Sequence, residues 1–143
     1  MFLGSHPLKL DDKGRLFLPA KFREAMAGGV VVTRGQEHCL YVFPKDEFFR
    51  NAERWQSAPL SNKEARDHLR VFLSGASDEI PDRQGRITIP AALRSYASLE
   101  RDCVVNGALN RLEIWALQPY LDYIADREPE FADRSQEVLP GLF

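Results

Sequence analysis

The sequence predicts an α+β fold that is mainly β, with short helices, built from two copies of one unit. Three observations lead to this prediction. The stretch DDKGRLFLPAKFR at residues 11–23 returns as DRQGRITIPAALR at residues 82–94. Each stretch is followed by apolar residues with the pattern of a β-hairpin. A unit of about 45 residues is also too small to bury an independent core, so the two copies must share one.

Each copy begins with a tight turn of the form Asp-x-x-Gly-Arg. The aspartate can accept hydrogen bonds from backbone amides two residues ahead, and glycine supplies the positive φ that the reversal needs. We therefore interpret the aspartates as turn formers whose carboxylates are occupied by backbone amides. The turn residues are Asp11, Gly14 and Arg15 in the first copy and Asp82, Gly85 and Arg86 in the second.

A short strand, a short helix and a hairpin follow each turn. In the strand RLFLP, Leu16 and Leu18 alternate with Arg15, so the arginine is predicted on the face opposite the core. Proline then suits the first turn of a helix, and two glycines end the first copy's helix. In the hairpins GVVVTRGQEHCLYVF and DCVVNGALNRLEIWAL we pair Gly35 with Gly107, after one inserted residue.

The pattern divides the chain into two units, a linker and a C-terminal segment. Ser61 and Glu64 form a capping-box pattern ahead of an apolar stripe, which predicts the linker helix. A last helix is predicted from Pro119, followed by an acidic tail whose end, LPGLF, could dock on a neighbour. The predicted ranges are unit 1 at 5–47, the linker helix at 61–74, unit 2 at 76–119, and the C-terminal helix and tail at 120–143.

Composition and motifs exclude several function classes. No apolar run approaches the roughly 18 residues that cross a bilayer, and the start MFLGSHPLKL lacks signal-peptide features, so we expect a cytoplasmic protein with no membrane partner. The three histidines lie outside known catalytic motifs. Cys39 and Cys103 lack metal or disulfide spacing and are predicted as small buried hydrophobic residues. We expect no enzymatic activity, no cofactor and no metal.

Charge is unevenly distributed along the chain. The net charge is −2, which argues against a non-specific nucleic-acid coat. Residues 1–72 nevertheless carry 12 Lys/Arg against 9 Asp/Glu, whereas residues 73–143 carry 7 against 12. A local basic face can therefore exist on an acidic protein.

The start FLGSHPLKLDDKGRLFLPAKFRE and the second DRQGRITIPAALR, at this separation, resemble the MraZ family of bacterial proteins, which have two tandem SpoVT-AbrB-type units. The resemblance covers about residues 1–125. It implies an AbrB-like swapped-hairpin β-barrel and a ring-like homo-oligomer associated with the nucleoid. It also implies a sequence-specific transcriptional regulator that binds short direct repeats in double-stranded promoter DNA of the division and cell-wall gene cluster.

The resemblance also implies which residues contact DNA. In that family the arginine of each Asp-x-x-Gly-Arg turn does so, and in this sequence those arginines are Arg15 and Arg86. Lys13 and Arg83 lie on the same two loops, at positions that do not correspond, so the two units need not contact DNA identically. A structural alternative is that Arg15 and Arg86 only pair with the turn aspartates or stack on neighbouring side chains.

Other cations are further candidates for DNA binding, and the aromatic residues suggest a rival function. Weaker DNA-binding candidates are Lys9, Lys21, Arg23, Arg34 and Arg94. We interpret Arg23 and Arg94 as structural, because a cation at a helix end complements the helix dipole. The rival function is an oligomeric protein-binding scaffold without a direct DNA role. Its anchors would be Tyr41, Phe43, Trp55 and Trp115, although aromatic residues at hairpin positions are more often core.

Overall fold

The computed structural model describes residues 1–141, and all of the following helices and strands lie in that part of the chain. The first copy contains β1 (Ser5–Lys9), β2 (Arg15–Phe17), α1 (Arg23–Met26), β3 (Val30–Arg34), β4 (Leu40–Pro44) and α2 (Lys45–Trp55). Helix α3 (Lys63–Ser74) connects the copies. The second copy contains β5 (Ser77–Glu79), β6 (Arg86–Thr88), α4 (Ala91–Tyr96), β7 (Asp102–Gly107), β8 (Leu112–Ala116) and α5 (Leu117–Asp133).

The two copies exchange strands. The larger sheet has six antiparallel strands in the order β1-β7-β8-β4-β3-β5, and β2 pairs with β6 in a separate two-stranded ribbon. Strand β1 of the first copy therefore pairs with the second copy's hairpin, and β5 of the second pairs with the first copy's hairpin. The predicted α+β class and its swapped pairing are confirmed, with the strands divided between two sheets.

A pseudo-two-fold axis relates the copies. Tyr41 stands opposite Glu113 where β4 meets β8, and Leu16 stands opposite Ile87 in the ribbon. In both places a residue faces its own counterpart from the other copy. Equivalent residues that face each other in an antiparallel pair lie on a local two-fold axis, so the duplication acts as an internal dimer.

The main core lies between the ribbon and the six-stranded sheet. Leu16 and Ile87 on the ribbon's inner face pack in one cluster with Val32 and Ile114 of the sheet. Both cysteines are free and buried, as predicted, and burial raises the pKa of the Cys39 thiol to about 12 and that of Cys103 to about 11. The ribbon is thus held by its inner face, which leaves its outer face available for contacts.

Several sequence predictions need correction or extension. Helix α2 was not predicted, although Asp46 and Glu47 in its first turn favour a helix N-terminus. The linker helix is capped by Asn62 rather than Ser61, because the Asn62 side chain accepts hydrogen bonds from the backbone of Glu64 and Ala65. The last helix begins at residue 117 rather than 119 and continues to residue 133.

The hairpin alignment also differs from the prediction. Arg34 stands opposite Leu40 in the first hairpin, and Gly107 stands opposite Leu112 in the second. Gly107 therefore corresponds to Arg34 and not to Gly35, because the second hairpin's loop is one residue shorter. The predicted unit boundaries stay a prediction. The docking predicted for LPGLF concerns a segment whose end, residues 142 and 143, lies outside the described residues.

No helix in the described range has the length and apolar character needed to cross a membrane.

Candidate nucleic-acid interface

The first turn is fixed by the carboxylate of Asp11. Its Oδ1 accepts hydrogen bonds from the backbone N–H of Lys13 at 2.9 Å and of Arg15 at 2.8 Å. Its Oδ2 accepts from Nε of Arg15 at 2.8 Å. Gly14 adopts φ +78°, a conformation that glycine adopts at little cost. The turn therefore orients its arginine through both backbone and side-chain contacts.

The second turn repeats this geometry. Asp82 Oδ1 accepts from the backbone N–H of Gln84 and of Arg86, both at 2.9 Å, and its Oδ2 accepts from Arg86 Nε at 2.8 Å. Gly85 has φ +81°. The backbone amide of the arginine, assisted by its side chain, holds the pKa of each turn aspartate below the ordinary 3.8. Both carboxylates are therefore charged at neutral pH, and the interpretation of both as turn formers agrees with the structure.

The ion pairs leave most of each guanidinium available. An arginine side chain carries five N–H donors, and in both turns the aspartate uses only Nε. Within residues 1–141 no hydrogen-bond partner is found for the terminal nitrogens of Arg15 or Arg86. Their side chains are 29% and 21% exposed. The arginine–aspartate pairing that the sequence analysis gives as a structural alternative is present. It orients each arginine but occupies only Nε and leaves the terminal N–H donors available.

The ribbon presents one continuous outer face. Arg15 stands opposite Thr88, and Phe17 stands opposite Arg86. Directly opposite residues of an antiparallel pair share a face, so these four side chains lie together, on the side away from the buried Leu16 and its counterpart Ile87. The two turns lie at opposite ends of this face.

Each turn is completed by an arginine from the other copy. A Cβ atom added to Gly14 would lie 1.5 Å from Nη1 of Arg94, and one added to Gly85 would lie 2.5 Å from Nε of Arg23. Both arginine side chains therefore lie directly against the glycine of the opposite turn. Arg23 also donates from Nε to the carbonyl of Leu18 at 2.9 Å.

This placement extends the interpretation of Arg23 and Arg94 as helix-end residues. Arg94 does lie in the last turn of α4, and Arg23 lies in the single turn of α1. In addition, the side chain of each arginine reaches the turn of the other copy. The reason is the swapped fold, which carries the helix of one copy over the turn of the other. Spacing within a single copy contains no signal for that crossing.

Two cationic clusters result, one at each end of the ribbon. Lys13 and Arg83 lie on the two turns, as predicted. The structure shows both side chains exposed, and neither takes part in an ion pair with any described residue. Cluster 1 is Lys13, Arg15 and Arg94. Cluster 2 is Arg83, Arg86 and Arg23.

The other candidate cations are less available for a ligand. Lys9 pairs with Asp102 at 3.1 Å, and Nη1 of Arg34 donates to the carbonyl of Val71 at 2.7 Å. Nζ of Lys21 lies 5.2 Å from the centroid of the Phe22 ring and close to Gly4. These contacts favour structural roles for Lys9 and Arg34.

The aromatic residues considered as protein-binding anchors belong to the hydrophobic clusters. Phe43 and Trp115 are buried, and Tyr41 and Trp55 are partly buried against the same clusters. Trp115 Nε1 also donates to Glu113 at 3.1 Å. These four side chains therefore stabilise the packing on the sheet's outer face. None of them is an exposed anchor of the kind that a protein-binding scaffold would need.

Comparison with known proteins gives one consistent family. The family model described as "MraZ protein, putative antitoxin-like" matches residues 1–71 and again residues 72–139. The chain is 62% identical over 142 residues to "Transcriptional regulator MraZ" of Parafrankia sp. (strain EAN1pec) and 60% identical over 142 residues to the protein of that name from Kineococcus radiotolerans, with 99% of each chain covered. It is 59% identical over 143 residues to the protein of that name from Kocuria rhizophila, with 100% of both chains covered.

Proposed function

Because this chain belongs to the MraZ family, we propose that it is a DNA-binding transcriptional regulator. The observation that supports this most directly is the outer face of the ribbon. It carries two oriented arginines, one at each end. Each of them belongs to a cluster of three cations whose members come from both copies. The relatives are named regulators rather than enzymes, in keeping with the expected lack of catalytic activity.

The shape of the ribbon suits the major groove. That groove is about 12 Å wide and admits a two-stranded β-ribbon. Strands β2 and β6 lie about 4.8 Å apart, as neighbouring strands do, so the ribbon is narrow enough to enter. The sheet holds the ribbon from its inner face, and the outer face would then meet the base edges.

The arginines have distinct tasks in this arrangement. Nε of Arg15 and of Arg86 is held by the turn aspartate, and the terminal nitrogens are the atoms available to guanine O6 and N7. Lys13 and Arg83, on the exposed turns, would contact phosphates and fix the position of the protein. Fixing the arginines before binding lowers the entropy cost of the contact.

A single chain is expected to bind weakly, because six cations serve two turns on a protein of net charge −2. We therefore propose that a ring-like homo-oligomer engages several short direct repeats in a promoter at once. Linking weak sites can raise affinity by factors on the order of 100 to 10,000 without new contacts. The family resemblance points to the promoter of the division and cell-wall gene cluster, and to a nucleoid-associated location in the cytoplasm.

The experiment is a fluorescence anisotropy titration at two salt concentrations. The probe is labelled duplex DNA from the region upstream of the protein's own coding sequence, beside a scrambled duplex. Wild-type protein should bind the first probe saturably and lose affinity with salt. Arg15→Ala/Arg86→Ala should lose specific binding, since each arginine–guanine contact contributes about 1–3 kcal/mol.

A matched control removes the same charge elsewhere. Arg50→Ala/Arg70→Ala deletes two exposed arginines of α2 and α3 that lie outside both clusters, and it should retain specific binding. Probes with one repeat and with several test the avidity. Equal affinity for both probes would contradict the avidity account. Unchanged binding by the Arg15→Ala/Arg86→Ala variant would contradict the DNA site and favour the protein-binding scaffold.

A further inference from the structure

The outer face of the ribbon differs between its two halves. Beside Arg86 stands the ring of Phe17, whereas beside Arg15 stands Thr88, the counterpart of Phe17 in the second copy. Phe17 is 41% exposed although its side chain is large and apolar. The half of the ribbon next to cluster 2 therefore presents an aromatic ring where the half next to cluster 1 presents a hydroxyl and a methyl group.

The ring lies beside two of the three cations of cluster 2. Its centroid is 5.8 Å from the guanidinium carbon of Arg86 and 5.9 Å from that of Arg23. Both distances are within the range of cation–π attraction. Phe17 is thus an apolar contact surface bordered by two charged groups, on the face that the proposed function assigns to DNA.

We propose that Phe17 determines specificity by contacting the C5-methyl group of a thymine next to the base that Arg86 contacts. The inference rests on the proposed function and names what one half of the site recognises. In the major groove, thymine is the base that presents a methyl group, and a phenyl ring has no hydrogen bond to offer the other base edges. Burying the ring against that methyl removes exposed apolar surface from water.

Distances support contacts to neighbouring bases. Opposite residues of an antiparallel pair have Cβ atoms about 5 Å apart, and successive bases of a strand are about 3.4 Å apart. The side chains of Phe17 and Arg86 can therefore reach adjacent base pairs at the same time. Thr88 and Arg15 have the same relationship at the other half, where the shorter side chain leaves a methyl group farther away. The two halves then recognise different base steps.

A purely structural role for Phe17 makes a different prediction. If the ring only positions Arg86 and Arg23, its loss weakens binding to every duplex by the same factor. If the ring contacts a thymine methyl, its loss abolishes the effect of removing that methyl. The methyl dependence therefore separates recognition from positioning.

The test begins with a duplex selected by the wild-type protein from a randomised library. Each thymine is replaced in turn by deoxyuridine, which lacks only the C5-methyl group, and affinity is measured by anisotropy. For wild type we expect one position in a bound half-site where the replacement weakens binding about four-fold, as for one buried methyl group. Phe17→Ser, which removes the ring and carries no methyl group, should show a ratio near one there.

Two further variants keep the experiment informative. Phe17→Leu retains an apolar side chain without a ring, so it should keep the methyl dependence. Thr88→Phe should create a second methyl-dependent position, in the other half of the site. Should Phe17→Ser fail to fold, as judged by its melting curve, these two variants carry the test.

The outcomes distinguish this inference from the proposed function. Binding that depends on Arg86 but shows no methyl dependence, or the same methyl dependence in wild type and Phe17→Ser, overturns the role of Phe17 and leaves the DNA site intact. A wild-type protein that selects no sequence, or whose binding survives Arg15→Ala/Arg86→Ala, overturns both.

Discussion

The two copies agree closely at their turns and differ in the helices packed on their hairpins. In each copy the turn aspartate accepts three hydrogen bonds of 2.8–2.9 Å, and the turn glycine has φ near +80°. These contacts form within five consecutive residues, so each copy carries the residues that fix the backbone of its own turn. Local chemistry thus reproduces the same geometry twice in one chain.

The outer faces of the hairpins lack that local control. On the first hairpin, Phe43 is packed under both α2 and α3, in a cluster that includes Trp55 and Phe72. On the second hairpin the counterpart Trp115 is covered by one helix of the described residues, α5, through Tyr120 and Tyr123. The difference arises because only the first copy is followed by a linker helix. The helices that pack on a hairpin are therefore determined by the segment of chain that follows it.

The largest expected effect tests this difference between the two outer faces. Phe43→Ala should lower the free energy of unfolding by about 3–5 kcal/mol, because the cavity lies beneath two helices that can only partly collapse. Trp115→Ala should cost less than Phe43→Ala, since one helix can settle more freely onto the vacated space. Urea unfolding of both variants measures the two losses. Equal losses, or a larger one for Trp115→Ala, would contradict the proposed difference between the helices packed on the two hairpins.

Sequence predicts the turns well because their determinants are contiguous. Asp11, Gly14 and Arg15 stand within one turn, and the same spacing recurs from Asp82, so their roles follow from the side chains alone. The duplication likewise predicts a shared core. Only the family resemblance predicts that the copies exchange strands, because alternating apolar residues indicate a strand but not which strand pairs with it.

Other parts of the site depend on tertiary contacts that spacing does not encode. Arg94 reaches the first turn because β2 pairs with β6, and no pattern within the second copy indicates that contact. Helix α2 had a usable signal, since Phe48, Ala52 and Trp55 lie on one helical face. Its start is hard to recognise because it follows directly on a strand, with Pro44 at the junction.

The second prediction tests the agreement between the turns. Gly14→Val and Gly85→Val should each lower the free energy of unfolding by about 1–3 kcal/mol, because a β-branched residue is strained at positive φ. The new side chain would also displace Arg94 or Arg23 from the turn. Urea unfolding should give similar losses for the two variants. Losses that differ by more than about 1 kcal/mol would show that one turn depends on more than its own residues.

A third glycine provides the matched control for these variants. Gly28 follows α1, has no positive φ, and a Cβ atom added there meets no heavy atom within 4 Å. Gly28→Val should therefore change stability by no more than about 0.5 kcal/mol, as is usual at unconstrained surface positions. A large loss at Gly28 would mean that valine is costly for reasons other than the backbone conformation of the turns.

The smallest effect concerns the charge of the turn aspartates. Asp11→Asn and Asp82→Asn keep an oxygen that can accept the backbone hydrogen bonds but lose the ion pair with the arginine. Because the folded pKa of each aspartate lies below 3.8, the carboxylate contributes stability above pH 3.8, and that contribution disappears as the pH falls through the folded value. Each variant should therefore be less stable than wild type at pH 7 and approach it in acid.

Urea midpoints at pH 7 and at pH values below 3.8 measure this change for both copies. The deficits of the two asparagine variants should match at each pH, because the two carboxylates make the same three hydrogen bonds. A deficit that persists unchanged in acid would arise from the amide itself rather than from lost charge. A deficit in only one copy would show that the crossing arginines, Arg94 and Arg23, make the turns electrostatically unequal despite their shared geometry.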